Sequence, residues 1–412
     1  MPRWWNGRHG GLKIHCLNSV TVRVRPGVPI FRKLVMKSKD YFCYEIYKNI
    51  AVWSKNGKVA YNPCSFFNGY IKETDRINLD DIWHGHEHKT IMMQVKNNQP
   101  VSGCQTCYNA EKSGLDSRRL GSKKLYEEFH KDTSLDLPGP QGIDYSVGNL
   151  CNLKCIICGP ANSTAWGPDY IKLNPGASIE KYNKNFQLTL SNPKSLENIK
   201  SIHFHGGGEP LLSNHHIELL TKIKEVKGLD DVRVFYNTNG TVRASDQLLS
   251  LWEECKLIEL YFSVDDVGDR FSYQRTGTDW HTVQENMFWY KQAMPHNHMF
   301  NLNCTWSYLN LYYLNELVDW YQTKFLTNRY GDQTNLLFQK AVGGFSINHV
   351  STKIYDALIN KFQEYPSLIA LVNTLQINDN ADHKLFWKRI GAIDNIRGND
   401  FKTLCPEWSE LL

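Results

Sequence analysis

The chain has 412 residues, 41% hydrophobic and 22% charged, a balance that excludes a disordered or low-complexity protein and exceeds what one compact core usually accommodates. Its formal net charge of +5 is spread without the Lys/Arg blocks of a nucleic-acid or membrane footprint. No stretch has the apolar length of a membrane span, and MPRWWNGRHGGLKIHCL carries charge and Gly where a secretory signal needs an apolar run; a cytoplasmic location is expected, with neither a membrane nor a nucleic-acid partner.

Residues 1–40 read as an N-terminal arm. YEIYKNIAVWSKNGKVAYNPC then holds two alternating β-runs joined by KNGK, a hairpin signal because Asn-Gly tolerates the positive φ of a tight turn. A helical stretch leads into CQTC, so residues 41–115 form a candidate cysteine-rich hairpin/helix module. Within it the run His84 to His88 invites a zinc-hydrolase reading, but the second histidine of H-E-x-x-H would fall at Thr90, and a solvated loop is expected instead. Residues 116–141, ending in LDLPGPQG, read as a linker.

From residue 142 to 350, short apolar strands alternate with amphipathic helices. The strands are IDYSV, IHF, VRVFY, IELYFSV, FNLNCTW and LLFQK; the helices include HHIELLTKIKEV, DQLLSLWEECK and YYLNELVDWYQTKF. Six strand-helix repeats predict parallel strands with right-handed crossovers. The expected class is α/β: a partial (β/α)6 TIM-like barrel, preceded by the small cysteine-rich module and followed by a helical extension over residues 351–412. In such sheets chemistry collects at the strand C-termini. The unusual loops GNLCNLKCIIC, HGGGEP, NTNG and DDVGDR follow the first four strands in turn.

Eleven cysteines in a cytoplasmic chain are expected to ligate metal or do chemistry rather than pair as disulfides. Cys151, Cys155 and Cys158 are three where a structural zinc site wants four and a disulfide two. A 4Fe-4S cube on three cysteines keeps one iron open for a small molecule. A zinc half-site remains the alternative for a trio taken alone.

C-x-x-x-C-x-x-C after the first strand of a βα barrel resembles the signature of the radical S-adenosylmethionine superfamily. The resemblance implies a 4Fe-4S cluster on Cys151, Cys155 and Cys158, with S-adenosylmethionine (SAM) chelating the open iron. It also implies reductive cleavage of SAM to a 5'-deoxyadenosyl radical that takes hydrogen from a substrate. GGGEP, Gly206 to Pro210, stands where that superfamily has a Gly-Gly-Glu-Pro motif facing the methionine ammonium; Gly207 and Gly208 permit close backbone approach and Glu209 supplies opposite charge. Asn239, Ser263, Asp265 and Arg275 are similar to polar residues of the SAM-binding shell in the peptide- and protein-modifying branch. A strand-end cap or surface ion pair is the alternative for each. Ile157 stands where many members have an aromatic residue near adenine.

Cys43, Cys64, Cys104 and Cys107, with the hairpin GKVAYNPC, the turn INLDDIW and SGCQTC, resemble a twitch or SPASM-type auxiliary cluster domain. That domain usually follows the barrel; here it precedes it, as in a group of twitch-like proteins whose ending DNIRGNDFKTLCPEW also resembles. The resemblance implies a second 4Fe-4S cluster, with zinc on the same four ligands as the alternative. Cys16, Cys255, Cys304 and Cys405 are expected to be unliganded, Cys255 and Cys304 packed in the core. For His203 and His205 a hydrogen-bonded structural role is expected, a substrate-facing one being the alternative.

The expected function is therefore that of a radical SAM enzyme acting on a peptide or protein, with an external electron donor such as a flavodoxin or ferredoxin. The competing reading is a zinc-stabilised cysteine-rich binding module without catalysis, nucleic acid among its candidate partners.

Overall fold

The computed structural model describes residues 40–412 except 56–57, 77, 113–116, 125, 128–132, 147, 183–192, 296, 328–333 and 342. The N-terminal arm with Cys16 and the two central turn residues of KNGK lie outside the described residues.

The cysteine-rich segment begins with helix α1 (Tyr44–Lys48) and three strands, β1 (Asn49–Lys55), β2 (Lys58–Asn62) and β3 (Lys72–Thr74). β1 and β2 pair antiparallel with Lys55 opposite Lys58, the register a two-residue turn imposes. Helices α2 (Leu79–Trp83), α3 (His86–Lys96), α4 (Gln105–Lys112) and α5 (Arg118–Lys124) follow. The solvated loop expected at His84–His88 is corrected here. His86 opens α3, and His88 is buried with Nε2 3.0 Å from the Ile46 carbonyl oxygen; a helical turn aims one histidine of the run into the core.

The six expected strands all form: β4 (Gly142–Tyr145), β5 (Ser201–Phe204), β6 (Arg233–Thr238), β7 (Leu257–Ser263), β8 (His298–Trp306) and β9 (Asn335–Lys340). They are parallel in the order β4-β5-β6-β7-β8-β9. β1 adds a seventh parallel strand beside β4, Ala51 pairing Asp144. The hairpin of the cysteine-rich segment thus continues the barrel's own sheet, in the order β3-β2-β1-β4. This sheet is the core of a mixed α/β, partial TIM-like barrel.

The crossovers run through helices α6 (Gly167–Leu173), α7 (His215–Lys227), α8 (Asp246–Glu254), α9 (Gly268–Gln274), α10 (Trp280–Ala293) and α11 (Leu314–Trp320). Ser245 caps α8 by accepting the Leu248 N–H at 3.3 Å, and Asp279 caps α10 by accepting that of Thr282 at 2.8 Å; each such cap stabilises by about 1 kcal/mol. One face of the strands packs on these helices. Phe204 meets His216, Tyr236 meets Trp252, and Phe262 meets Tyr290. Trp252 is fully buried, so Trp252→Ala would cost about 3–5 kcal/mol.

Because side chains alternate across a strand, the residues between these face the barrel interior, and their rows follow from the register. One row is Asp144, His203, Phe235, Glu259 and Met299. The next is Asn237, Tyr261, Asn301 and Asn335, and above it lie Ser263 and Asn303. With its carboxylates, imidazoles and carboxamides, this face of the sheet is polar where a packed core would be apolar.

The C-terminal extension contains α12 (Thr352–Lys361), α13 (Pro366–Val372) and α14 (Lys384–Arg397). Pro366 starts a helix, where its missing N–H is harmless. From α14, Asp394 accepts the Tyr273 hydroxyl at 2.7 Å, and Arg397 donates to Asp169 at 2.8 Å and to Thr276 at 3.1 Å. The extension therefore braces the segment that carries Arg275.

Candidate functional site

The loop after β4 carries Cys151, Cys155 and Cys158, and backbone bonds hold it at both ends. The Lys154 and Ile156 N–H groups donate to the Thr276 and Gln274 carbonyls, both at 2.8 Å. Trp166 Nε1 donates to the Cys155 carbonyl at 2.8 Å, and Thr164 bridges the backbone of Cys151. All three cysteines are free; Cys155 is buried, Cys151 half-buried and Cys158 exposed. Burial pushes the Cys151 thiol up to about 11. Cys155 lies well above its ordinary value because it shares a hydrogen bond with Cys158, which is lowered by that same bond.

Donors are aimed at two of the sulfurs. Cys151 Sγ faces the Leu153 N–H at 3.4 Å and Asn239 Nδ2 at 3.8 Å. Arg275 Nη1 lies 4.0 Å from Cys155 Sγ. A positive group and N–H dipoles favour the thiolates that iron or zinc requires; the chemistry of the donor set fits a metal.

The glycine loop after β5 is pressed against this cysteine loop. Gly206, Gly207 and Gly208 have φ of +90°, +121° and +71°. A Cβ on Gly208 would stand 2.9 Å from the Leu150 carbonyl oxygen and 3.0 Å from that of Gly148. Only glycine suits both the conformation and the approach. Its N–H donates to the Asn162 carbonyl at 2.8 Å, and the Glu209 N–H to that of Leu150 at 2.7 Å.

Glu209 is buried. It accepts the Asn239 N–H at 2.6 Å, the Thr238 hydroxyl at 2.8 Å and the Leu211 N–H at 3.2 Å. Burial outweighs these donors and pushes its carboxyl up to about 7; a cation brought beside it would favour the carboxylate.

Asn239 ends β6 and also donates to Asn152 Oδ1 at 3.0 Å. Ser263 is half-buried at the C-terminal end of β7. Asp265 and Arg275 form a buried pair at 2.8 Å, and Asp265 accepts the Thr305 N–H at 2.7 Å. The trio, the glycine loop, Asn239, Ser263, Asp265 and Arg275 are thus gathered at one end of the barrel. Ile157 is half-buried against the core.

The four upstream cysteines also converge. Cys43, Cys64, Cys104 and Cys107 line one cavity with Glu45, Phe66, Arg118 and Arg119. None is disulfide-bonded, and burial pushes all four thiols up, Cys104 to about 12. Four thiols with two guanidiniums at the wall fit a closed, four-thiolate metal group whose charge the arginines offset. Cys255, Cys304 and Cys405 are buried and free, Cys304 donating to the Asp265 carbonyl at 3.6 Å.

Sequence reasoning missed Arg118, which joins the two regions. Nε lies 2.8 Å from Glu45 Oε2 at the cavity wall, Nη2 lies 2.9 Å from Asp144 Oδ2 inside the barrel, and Nη1 donates to Ser65 at 2.8 Å. It holds the Asp144 carboxyl, though burial opposes this, well below the usual carboxylate range together with His203 and His205. Burial pushes His205 down to about 3. No local pattern announces an arginine that pairs across the sheet, although the alternation in IDYSV and IHF places Asp144 and His203 on one face.

Residues 145–305 match the model of the Radical SAM superfamily. Two curated relatives are GTP 3',8-cyclases. That of Limosilactobacillus fermentum is 25% identical over 118 residues, covering 29% of this chain and 30% of that protein. That of Lactiplantibacillus plantarum is 28% identical over 127 residues, covering 31% and 34%. The chain spans about a third of the length of these relatives. Among solved structures, anSMEcpe with bound AdoMet is 18% identical with a TM-score of 0.39, over 58% of this chain and 61% of that one. SuiB of Streptococcus suis bound to precursor peptide SuiA is 12% identical with a TM-score of 0.36, over 86% and 75%. The cysteine and glycine loops at the barrel's C-terminal end both fall within residues 145–305, the stretch that matches the Radical SAM superfamily model.

Proposed function

We propose that the chain is a radical SAM enzyme, with Cys151, Cys155 and Cys158 as the three ligands of a 4Fe-4S cluster. The observation that carries this reading is the docking of the glycine loop on the cysteine loop, which brings a buried acid, Glu209, beside an open set of three thiols. Gly207, Gly208 and Glu209 would receive the methionine ammonium of SAM; Asn239, Ser263, Asp265 and Arg275 would complete the cofactor shell. When bound, cluster and SAM together supply a 5'-deoxyadenosyl radical able to take a hydrogen atom from a substrate. The protein's part is placement: Arg275 and Asn239 favour the thiolates, Glu209 counters the ammonium, and the parallel strands gather all of these at one end of the barrel.

Cys43, Cys64, Cys104 and Cys107 would hold a second 4Fe-4S cluster, and a small redox protein of the flavodoxin or ferredoxin type would deliver electrons. A peptide or protein is the proposed substrate. The half-buried carboxamides of Asn237 and Asn303 along the inner face suit it, since each can both donate to and accept from a peptide group. The likeness to the GTP cyclases covers too little of them to transfer a substrate. No helix among the described residues is long and apolar enough to cross a membrane.

Anaerobic reconstitution followed by iron, sulfide and zinc analysis tests the cofactor assignment. About eight irons per chain are expected for two cubes; colourless protein carrying only zinc would overturn it in favour of a zinc-stabilised binding module.

A further inference from the structure

Asp144 and His203, on the inner face of β4 and β5, meet His205, which follows β5 directly before the glycine loop. His203 Nδ1 lies 3.6 Å and His205 Nε2 3.8 Å from the same carboxylate oxygen, Asp144 Oδ1. The three atoms lie within 4.8 Å of one another. These separations exceed a hydrogen bond of about 3.2 Å at most. They suit the edge of a coordination polyhedron, since bonds of about 2.0–2.1 Å at tetrahedral angles set ligand atoms about 3.4 Å apart. His205 Nε2 is buried and makes no hydrogen bond among the described residues.

The surroundings arrange these three groups as ligands. Arg118 pairs with the other oxygen, Asp144 Oδ2, at 2.9 Å, leaving Oδ1 directed at the imidazoles; a ligating carboxylate is commonly held in orientation by such a partner behind it. Arg118 also pairs with Glu45 at 2.8 Å, so its charge is divided between two carboxylates and does not cancel that of Asp144 alone. Trp53 packs edge-on against the His205 ring at 5.4 Å, and the two imidazoles lie 4.6 Å apart. Both histidine side chains keep some exposure, 15% and 13%, while Asp144 has 5%, so the cluster is not sealed.

We propose that Asp144, His203 and His205 bind a divalent transition cation of the zinc or iron(II) class inside the barrel. Two imidazoles and one carboxylate are a donor set for that class. Three protein ligands leave coordination positions open, which a carboxylate, carbonyl or hydroxyl oxygen of a substrate can occupy. The cation site uses none of the seven clustered cysteines and none of the SAM-shell residues. Its occupancy stands independently of the radical reading, on which only the substrate-anchoring role rests.

The test is cobalt(II) titration of the reconstituted protein, whose seven clustered cysteines are already occupied, followed in the visible spectrum and by metal analysis after desalting. One added cobalt per chain is expected, with weak ligand-field bands and no thiolate-to-cobalt charge transfer. His203→Gln and His205→Gln should each weaken it by more than about tenfold, with near-UV circular dichroism and iron content unchanged. Two variants guard against one that folds poorly. Unaltered binding in both, a thiolate spectrum in the iron-loaded protein, or no cobalt taken up by the wild type would overturn the proposal. Failure of the radical reading would appear separately, as protein lacking iron, and leaves the histidine-dependent cobalt signal readable.

Discussion

Glu209 Oε2 accepts the Asn239 backbone N–H at 2.6 Å, tying the acid of the glycine loop to the end of the neighbouring strand. The carboxyl is pushed up to about 7 by burial, from an ordinary value of 4.5. A group whose proton is held more tightly in the folded state contributes stability that is full below pH 4.5 and lost as pH rises through about 7. That shift corresponds to about 3 kcal/mol. Urea unfolding at acid and mildly alkaline pH should show this loss in the wild type, and Glu209→Gln should remove that part of the pH dependence.

Gly208 and Gly268 both have positive φ, +71° and +60°, but a Cβ meets the backbone of Leu150 and Gly148 only at Gly208. Gly268→Ala should cost about 1–2 kcal/mol, the left-handed penalty alone. Gly208→Ala should cost more and also lower SAM affinity by at least about tenfold, because the two loops must part. Calorimetric titration with SAM distinguishes the two.

Arg275 is buried against Asp265 at 2.8 Å. Arg275→Ala leaves a carboxylate unpaired in the interior and should destabilise by about 3–5 kcal/mol. Chemical denaturation measures this, and the same variant should take up iron less completely at Cys155.

Serine replacement of Cys43, Cys64, Cys104 or Cys107 should lower iron from about eight to about four per chain while SAM cleavage persists. Iron analysis alongside a cleavage assay reads both. Arg118→Met should disturb the same site and destabilise by about 3–5 kcal/mol, since Glu45 and Asp144 both lose their partner.

The strands from Gly142 to Lys340 were readable because alternation and helical periodicity are local signals, and loops with Cys, Gly and Asp stand out between them. Pairing partners are not local. Nothing in NIAVWSK says that Ala51 will pair Asp144 rather than remain in a separate module, because an alternating strand carries the same pattern beside any neighbour. His88 read as surface in a polar run; its helical phase toward Ile46 placed it inside. Arg118 carries no motif, and its role emerges only when Glu45, Ser65 and Asp144 come together.

The most direct test of the central claim is formation of 5'-deoxyadenosine and methionine by the anaerobically reconstituted chain under a strong reductant. The account predicts SAM cleavage by the wild type and none by Cys155→Ala. Cleavage that persists in Cys155→Ala, or a wild type that carries its iron and leaves SAM intact, would contradict it.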